Sequence, residues 1–169
     1  MSRRPRRLAT FNYVGLYRYS LTFCTAHRRH IFKESAVIDE AIDEISRAAA
    51  SHQFAVIAYC FMRDHLHLLV EATSDSSDLV AFAHQIKQRT AYRYRRRQDQ
   101  PLWQKGYYEH VLRDDEAMLA VARYILANPV RAGLVQEPRD YPFSGSLVFD
   151  RQQLDELWQS LAEGSFGTP

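Results

Sequence analysis

Cysteine is scarce in this chain of 169 residues, with only Cys24 and Cys60 present. Both cysteines fall in predicted strands, and their separation does not match the ligand spacing of a metal site. The sequence therefore excludes a scaffold that depends on several disulfides. We expect two buried free thiols in a protein of a reducing compartment.

Long apolar runs are also missing, and no segment approaches the length of a membrane span. The N-terminus lacks a signal-peptide core, so we expect a cytoplasmic protein. The sequence contains no internal repeat, low-complexity segment or clear linker. At 46% hydrophobic content the chain can bury a core of its own. We predict a single domain at 1–169, with a basic N-terminal arm at 1–10 and a C-terminal helix and tail at 150–169.

Two histidines one residue apart stand in a run typical of a buried strand, Arg63-Asp64-His65-Leu66-His67-Leu68-Leu69-Val70. Because side chains alternate along a strand, His65 and His67 would face one side of the sheet and Leu66 and Leu68 the other. Two neutral imidazoles side by side on a stiff strand can form half of a site for a divalent ion. So short a pair also fits ordinary polar residues on a half-polar sheet face.

A second candidate group lies on a predicted helix at 114–128, whose first turn is acidic, as the helix dipole favours. Tyr124 and Asn128 are four residues apart and would share one face of this helix. The amide oxygen of Asn128 is an acceptable third metal ligand, and the phenol of Tyr124 is a candidate nucleophile. Two alternatives stay open, because Asn128 precedes Pro129 and could cap a new turn, and Tyr124 could be an ordinary core tyrosine.

The net charge of +2 conceals two basic segments, 1–33 and 85–97, that contain no acidic residue. Positive potential should therefore concentrate on part of the surface, where DNA phosphates could bind. The candidate DNA contacts are Arg3, Arg4, Arg6, Arg7, Lys87, Arg89, Arg93, Arg95, Arg96, Arg97, Lys105 and Arg131. The terminal run could also be a solvated tail. The second run lies on a predicted helix with an apolar stripe, which favours a docked ridge that binds phosphates.

Four tyrosines lie in or near the second basic segment, namely Tyr92, Tyr94, Tyr107 and Tyr108. Aromatic rings among cations are typical of proteins that bind single strands, because unpaired bases stack on them. The alternative, which we favour for most of the four, is a place in the core or in a cross-strand pair.

The order of predicted elements is strand, helix, strand, strand, helix, strand, and then the tyrosine helix. The predicted elements are a strand at 13–25, a helix that Ser35 can cap, a hairpin of Phe54–Met62 and His65–Ala72, a basic helix capped from within 75–78, a strand at 106–112 and a last helix at 150–162. This order predicts an α+β fold, a ferredoxin-like antiparallel sheet with helices packed on one face. The opposite face, with His65 and His67, would be free for substrate and Tyr124.

Three segments together resemble the REP-associated tyrosine transposases, which belong to the single-tyrosine branch of the HUH endonucleases. The segments are Phe61-Met62-Arg63-Asp64-His65-Leu66-His67-Leu68-Leu69-Val70, Leu102-Trp103-Gln104-Lys105-Gly106-Tyr107-Tyr108-Glu109-His110-Val111 and Tyr124-Ile125-Leu126-Ala127-Asn128-Pro129-Val130-Arg131-Ala132-Gly133-Leu134-Val135. Asp140-Tyr141-Pro142-Phe143-Ser144 is similar to the closing motif of the family. Three linked motifs in family order are more specific than any one of them. The family often has Pro-Asn or Pro-Glu where this chain has Arg63-Asp64.

The resemblance implies a HUH endonuclease fold and a metal-dependent enzyme that nicks single-stranded DNA beside a hairpin and rejoins it through a 5′-phosphotyrosine. Tyr124 matches the nucleophile, His65 and His67 match the metal-binding pair, and Asn128 matches the third ligand. The implied cofactor is Mg²⁺ or Mn²⁺, and the implied partner is a single-stranded DNA hairpin. A monomer is favoured over a homodimer. In the family the N-terminal region helps to read a short guide sequence, which supports a DNA-contacting arm here.

Two rival hypotheses remain at this stage. In the first, the protein is a domesticated, non-catalytic binder of structured single-stranded DNA or RNA. In the second, the metal site serves a hydrolysis in which water attacks and Tyr124 is structural. The covalent mechanism needs no ATP, because the phosphotyrosine keeps the phosphoester, and this agrees with the lack of a P-loop motif in the sequence.

Overall fold

The computed structural model describes residues 11–113 and 115–163. Within these residues the strands are β1 (Arg18–Cys24), β2 (Phe54–Met62), β3 (His65–Ala72), β4 (Tyr108–Leu112) and β5 (Ser144–Gly145). The helices are α1 (Ser35–His52), α2 (Leu79–Gln98), α3 (Asp115–Leu126), α4 (Asn128–Arg131) and α5 (Arg151–Glu163). Two short 3₁₀ turns lie at Ala26–Arg28 and Pro138–Asp140.

The strands form one antiparallel sheet in the order β4-β1-β3-β2-β5. β3 lies in the middle of the sheet, and it pairs with β1 on one side and with β2 on the other. The predicted hairpin has the bounds that the sequence indicated, Phe54–Met62 and His65–Ala72. The predicted α+β fold is therefore confirmed, and the elements up to β4 follow the predicted order along the chain.

The two longest helices, α1 and α2, cover one face of the sheet. The first core between them and the strands contains Tyr19, Leu21, Phe23, Ile38, Ile45, Leu66, Leu68, Val70, Phe82 and Ile86. The tyrosine helix α3 lies on the other face, against β2 and β3. It contributes Ile125 to a second core with Ile57, Ala58, Cys60, Met62 and Leu69. The face that carries the histidines is therefore covered only in part.

A β-bulge in β2 changes which of its residues face each core. The pairing of β2 with β3 shifts between Val56 and Ala58. Val56 packs in the first core, whereas Ile57 and Ala58 both pack in the second. The extra residue of a bulge resets the alternation of side chains. As a result Cys60 is the register partner of His67, and Met62 is the register partner of His65.

Two predicted strands are shorter than the sequence suggested. β1 begins at Arg18, because Val14 forms an isolated bridge with Asp78 instead of pairing in the sheet. β4 begins at Tyr108 and not at residue 106, since Gly106 adopts a positive φ of 85° that interrupts an extended strand. The second change leaves the stacking candidate Tyr107 outside β4, whereas His65 and His67 keep their predicted strand.

The helix caps agree with the sequence at one helix and differ at another. Asp78 caps α2 as predicted, and its carboxylate accepts hydrogen bonds from the backbone N–H groups of Val80 at 2.8 Å and Ala81 at 3.1 Å. The prediction that Ser35 caps α1 is wrong, because Glu34 occupies the cap position and Ser35 is the first helical residue. Glu34 makes no capping hydrogen bond through its side chain.

Three further expectations concern the described part of the chain. Its helices include none that is both long and apolar enough to cross a membrane. Cys24 and Cys60 are buried and free, as the sequence predicted. The last predicted helix is present as α5, and it ends at Glu163.

Ion pairs join α1 to α2 in addition to apolar contacts. Glu44 is only 4% exposed, and its carboxylate accepts a hydrogen bond from Nε of Arg93 at 2.6 Å. Arg47 makes a longer contact with the same carboxylate, at 3.4 Å. One turn further along α2, Arg97 pairs with Glu40 at 2.6 Å. A buried carboxylate that loses its partner is costly, so Arg93 has a structural role.

Replacing Arg93 by methionine should lower the free energy of unfolding by about 1–2 kcal/mol, because Glu44 keeps only its longer contact with Arg47. Chemical denaturation followed by circular dichroism measures this change. Arg95→Met is the matched control, since Arg95 is an exposed residue of the same helix. Equal losses of stability in the two variants would contradict the role of the buried pair.

Candidate active site

β3 presents both candidate histidines on the sheet face opposite the first core. His65 and His67 are partly exposed, whereas Leu66 and Leu68 on the other face are fully buried. The centroids of the two imidazole rings are 4.7 Å apart, and the ring planes are nearly perpendicular. The alternation predicted from the sequence therefore brings the two rings into contact at one surface.

Asp64 orients the ring of His65. Its Oδ1 lies 2.6 Å from Nδ1 of His65, and its Oδ2 lies 2.9 Å from Nε of Arg28. Because Oδ2 accepts from the guanidinium of Arg28, Oδ1 is the acceptor available to an N–H at Nδ1 of His65. Nε2 is then the nitrogen with a free lone pair, as in metal sites where a carboxylate supports the ligand histidine.

Thr22 has the corresponding position beside His67. The two residues are register partners in β1 and β3, and Oγ1 of Thr22 lies 3.0 Å from Nδ1 of His67. Burial, together with the neighbouring charges of His65, Arg131 and Arg28, lowers the pKa of His67 to about 4. His67 is therefore neutral near pH 7, which is the form that binds a metal ion.

The turn that precedes the histidines is held by backbone hydrogen bonds. The carbonyl oxygen of Asp64 accepts from the N–H and from the hydroxyl of Thr25, both at 3.0 Å. The carbonyl oxygen of Arg63 accepts from the N–H groups of Ile31 and Phe32. These contacts fix the direction in which Asp64 faces His65.

Tyr124 lies near the end of α3 and is 54% exposed. The guanidinium carbon of Arg131 lies 3.8 Å from the centroid of the Tyr124 ring, which is a cation–π contact. Arg131 is also one of the charges that lower the pKa of His67. The interpretation of Tyr124 as an ordinary core residue is therefore wrong, and one cation lies near both the phenol and the histidine pair.

Asn128 supports the joint between α3 and α4. Its side-chain nitrogen donates to the carbonyl oxygens of Tyr124 at 3.0 Å and Ile125 at 3.3 Å. Pro129 has no N–H to donate to the carbonyl of Ile125, so the amide of Asn128 satisfies that acceptor instead. The alternative in which Asn128 caps the new turn is wrong, since Ala127 occupies the cap position of α4. Because the nitrogen is bound to carbonyls, the amide oxygen remains available as an acceptor.

The donor set suits a divalent cation with an open coordination sphere. In the described ranges, no three side chains of the His, Cys, Asp or Glu type are close enough together to hold a metal ion. A cation held by the two imidazoles of β3 would need its further ligands from other groups, such as oxygen atoms. Neutral imidazole with amide, water or phosphate oxygen is a combination that Mn²⁺ and Mg²⁺ accept.

Three of the candidate cations on α2 make contacts inside the protein. Lys87 donates to the carbonyl oxygens of Gln104, at 2.7 Å, and Gly106, and burial lowers the pKa of Lys87 to about 8. Arg93 and Arg97 pair with the acidic residues of α1. These three side chains contribute to the fold, and less of their charge is available to DNA.

The other candidate cations that the structure describes are exposed, namely Arg89, Arg95, Arg96, Lys105 and Arg131. Arg131 lies at the candidate site, whereas α2 packs on the opposite face of the sheet. The segment after α2 nevertheless returns to the edge of the site. There the N–H of Gln104 donates to the carbonyl of Cys24, which is the register partner of His65. The candidates Arg3, Arg4, Arg6 and Arg7 lie outside the described residues.

Sequence reasoning missed three residues that support the histidines, Thr22, Arg28 and Asp64. Asp64 directly precedes His65 and could have been proposed from that adjacency. Thr22 depends on the register between β1 and β3, and Arg28 lies in a 3₁₀ turn at a positive φ of 55°. No local pattern in the sequence indicates these two positions.

Comparison with known proteins gives a consistent result. The sequence profile of a family described as "Transposase IS200 like" matches residues 13–128. A Haemophilus influenzae protein with the provisional name REP-associated tyrosine transposase is 24% identical over 145 residues, which cover 79% of this chain and 81% of that protein. A REP-associated tyrosine transposase of Escherichia coli is 24% identical over 100 residues, or 59% of each chain.

Solved structures with the same fold include one of a related transposase. It is described as a REP-associated tyrosine transposase bound to a REP hairpin. The two structures superpose with a TM-score of 0.68 at 21% sequence identity, over 85% of this chain and 82% of the other. At this identity the likeness supports the fold and not the details of the site.

Replacing Asp64 by asparagine should weaken the binding of Mn²⁺ by about 10–100-fold, because the neutral amide supports Nδ1 of His65 less well and no longer pairs with Arg28. Isothermal titration of the protein with Mn²⁺ measures the affinity. Asp75→Asn is the matched control, since Asp75 is exposed in the loop between β3 and α2. An unchanged affinity in Asp64→Asn would show that Asp64 does not orient a metal ligand.

Proposed function

The chain belongs to the family of IS200-like transposases, which process DNA, and from this premise we propose a specific reaction for the candidate site. We propose that the protein nicks single-stranded DNA beside a REP-type hairpin and transfers the strand through a covalent 5′-phosphotyrosine on Tyr124. The names of the relatives and the hairpin bound to the structural neighbour support this choice of substrate.

The position of Arg131 is the single observation that carries the proposal. Its guanidinium stacks on the ring of Tyr124, and its charge lowers the pKa of His67. A phosphate that is attacked by the phenol while it faces the histidines would lie close to this cation. Fixed positive charge at such a point stabilises the negative charge that develops on the phosphate oxygens. The exposure of Tyr124 supports the same reading, because a nucleophile has to reach its substrate.

In the proposed step the phenolic oxygen of Tyr124 attacks the phosphorus of the scissile phosphodiester. The bond from phosphorus to the 3′ oxygen breaks, and that oxygen takes a proton and leaves as a 3′-hydroxyl. The phenolic proton is released to solvent. Attack of a DNA hydroxyl on the phosphotyrosine reverses these changes and frees Tyr124, so joining two DNA ends needs no nucleoside triphosphate.

We assign the metal ligands to His65 and His67, with the amide oxygen of Asn128 as the third. A divalent cation bound there supplies polarisation of the phosphate and offsets its charge. Asp64 and Thr22 would keep each Nε2 directed at the cation. Because Arg131 contacts the ring of Tyr124 and contributes to the electrostatic environment of His67 within one chain, we propose that a monomer carries out the reaction.

Replacing Tyr124 by phenylalanine should abolish the covalent adduct, because the variant keeps the ring under Arg131 but has no oxygen to attack phosphorus. The measurement is denaturing electrophoresis after incubation with labelled hairpin DNA and Mn²⁺. Tyr92→Phe, at an exposed tyrosine of α2, is the matched control and should form the adduct normally. His67→Ala should also lose the adduct while keeping most of its affinity for the hairpin.

The same gel separates the proposal from its rivals. Cleavage that survives in Tyr124→Phe would show that water attacks and that the tyrosine is structural. Binding without any cleavage in the unmodified protein would identify a domesticated binder. Loss of hairpin affinity in His67→Ala, to the same degree as loss of nicking, would contradict the division between binding and chemistry.

We also propose that Arg95 and Arg96, at the exposed end of α2, contact the phosphates of the hairpin. Changing both to glutamine should reduce the slope of log affinity against log salt by about two units, because each phosphate contact contributes about one. Fluorescence polarisation of labelled hairpin at several salt concentrations measures the slope. Arg93→Gln is the comparison, since its paired guanidinium should contribute little. An unchanged slope in the double variant would exclude this end of α2 from the interface.

A further inference from the structure

Among the described helices, α3 lies on the sheet face that carries the histidines, and its main contacts leave the β1 and β4 side of that face less covered. α3 packs on β2 and β3, and only the far end of β4, at Leu112, joins the second core. At the other end of β4, Tyr108 is 41% exposed, and His110 is exposed as well. An open surface therefore extends from the histidine pair across β1 to the edge strand β4.

Tyr108 lies on the same cross-strand row as His67. Tyr108 is the register partner of Thr22, and Thr22 is the register partner of His67. Register partners in neighbouring antiparallel strands direct their side chains to the same face of the sheet. Two strand spacings separate the Cα atoms of Tyr108 and His67, which corresponds to about 10 Å. A base bound at Tyr108 would therefore belong to a nucleotide close to the reacting phosphate.

The other tyrosines that the sequence suggested for stacking have different positions. Tyr94 packs against the first core, and the ring of Tyr107 makes an edge contact with Phe23 at 5.4 Å. Tyr92 is 63% exposed, but α2 holds it on the opposite side of the sheet. Tyr108 is thus the member of this group that is both exposed and on the face of the histidines.

The charges on this face do not oppose a DNA strand. Among the described side chains of β1, β3 and β4 that face this way, Glu71 is the single acidic one, and it pairs with Arg18 at 2.7 Å. Glu109 follows Tyr108 directly but faces the first core, where it accepts a hydrogen bond from Tyr13 at 2.8 Å. Lys105 is exposed three residues before Tyr108. The surface thus combines an aromatic ring with neutral or positive neighbours, as in single-strand binding sites.

We infer that Tyr108 is a stacking platform for an unpaired base of the DNA strand that enters the site. This inference rests on the proposed function, and it adds the position at which the single-stranded part of the substrate binds. The ring would hold one base, while the backbone beside it continues towards His67. Stacking tolerates any base, so the platform contributes affinity for the single-stranded segment and little sequence preference.

The test compares two labelled probes, a REP-type hairpin with an oligothymidine extension and the same hairpin without it. Fluorescence polarisation in EDTA measures Kd without cleavage. Tyr108→Ala should raise Kd for the extended hairpin by about tenfold, and Tyr108→Phe should change it little, because the ring is kept. Neither change should affect the hairpin without an extension. Tyr92→Ala is the matched control, and it should not weaken binding of the extended hairpin more than binding of the hairpin without an extension.

A second variant and a second signal guard against a folding defect in Tyr108→Ala. Tyr108→Val keeps a residue that favours strands and should lose the same affinity. When the unmodified protein binds, 2-aminopurine placed in the extension should lose fluorescence because its base stacks on the ring. When Tyr108→Val binds the same probe, this loss of fluorescence should not occur. Circular dichroism melting curves show whether each variant is folded.

Several results would overturn the inference. These are an unchanged Kd for the extended hairpin in folded Tyr108→Val, an equal effect of Tyr92→Ala that is specific to the extended hairpin, or a dependence on Tyr108 that is seen only with an oligouridine RNA extension. If the unmodified protein nicks hairpin DNA but Tyr108 has no effect, the stacking platform alone is wrong. If the unmodified protein binds neither probe, the proposed function and the platform are both wrong.

Discussion

The pairing of β3 on both of its edges is the constraint on which the candidate site depends. A strand held by two ladders cannot slip by one residue without moving Leu66 and Leu68 out of the first core. Burial of these leucines is favourable by several kcal/mol, on the order of 2 kcal/mol for each side chain. Apolar side chains that never reach the substrate therefore fix the direction of His65 and His67.

The sequence predicted the parts of this arrangement that follow from local periodicity. The bounds of the β2–β3 hairpin were correct because long apolar runs with turns between them leave little freedom in assignment. The prediction that His65 and His67 share one face of the sheet was correct because side chains in a strand alternate with a period of two residues. The predicted start of α2 was correct because Asp78 has a capping side chain and an apolar stripe follows it in the sequence. Each of these features is encoded within a few neighbouring residues.

The features that the sequence could not predict depend on contacts between distant segments. Thr22 reaches His67 only through the register of β1 with β3, and Arg28 reaches Asp64 only through the turn after β1. The basic run on α2 gave no sign that Arg93 and Arg97 are paired with acidic residues of α1. A count of cations along the chain therefore overestimates the charge that α2 can offer to a phosphate backbone. The structure divides this helix into a structural side and an exposed side.

The two hydrogen bonds of the Asn128 side chain limit which residue types can occupy this position. Its nitrogen must donate to two carbonyl oxygens, one of which Pro129 leaves without a backbone donor. Aspartate would be a stronger ligand for a cation, but its carboxylate cannot donate and would repel both carbonyls. Neutral histidine has a single N–H donor, so it could not donate to both carbonyl oxygens. A carboxamide meets both demands at once, so the side chain that stabilises the joint between α3 and α4 would also be an uncharged third ligand in the proposed reaction.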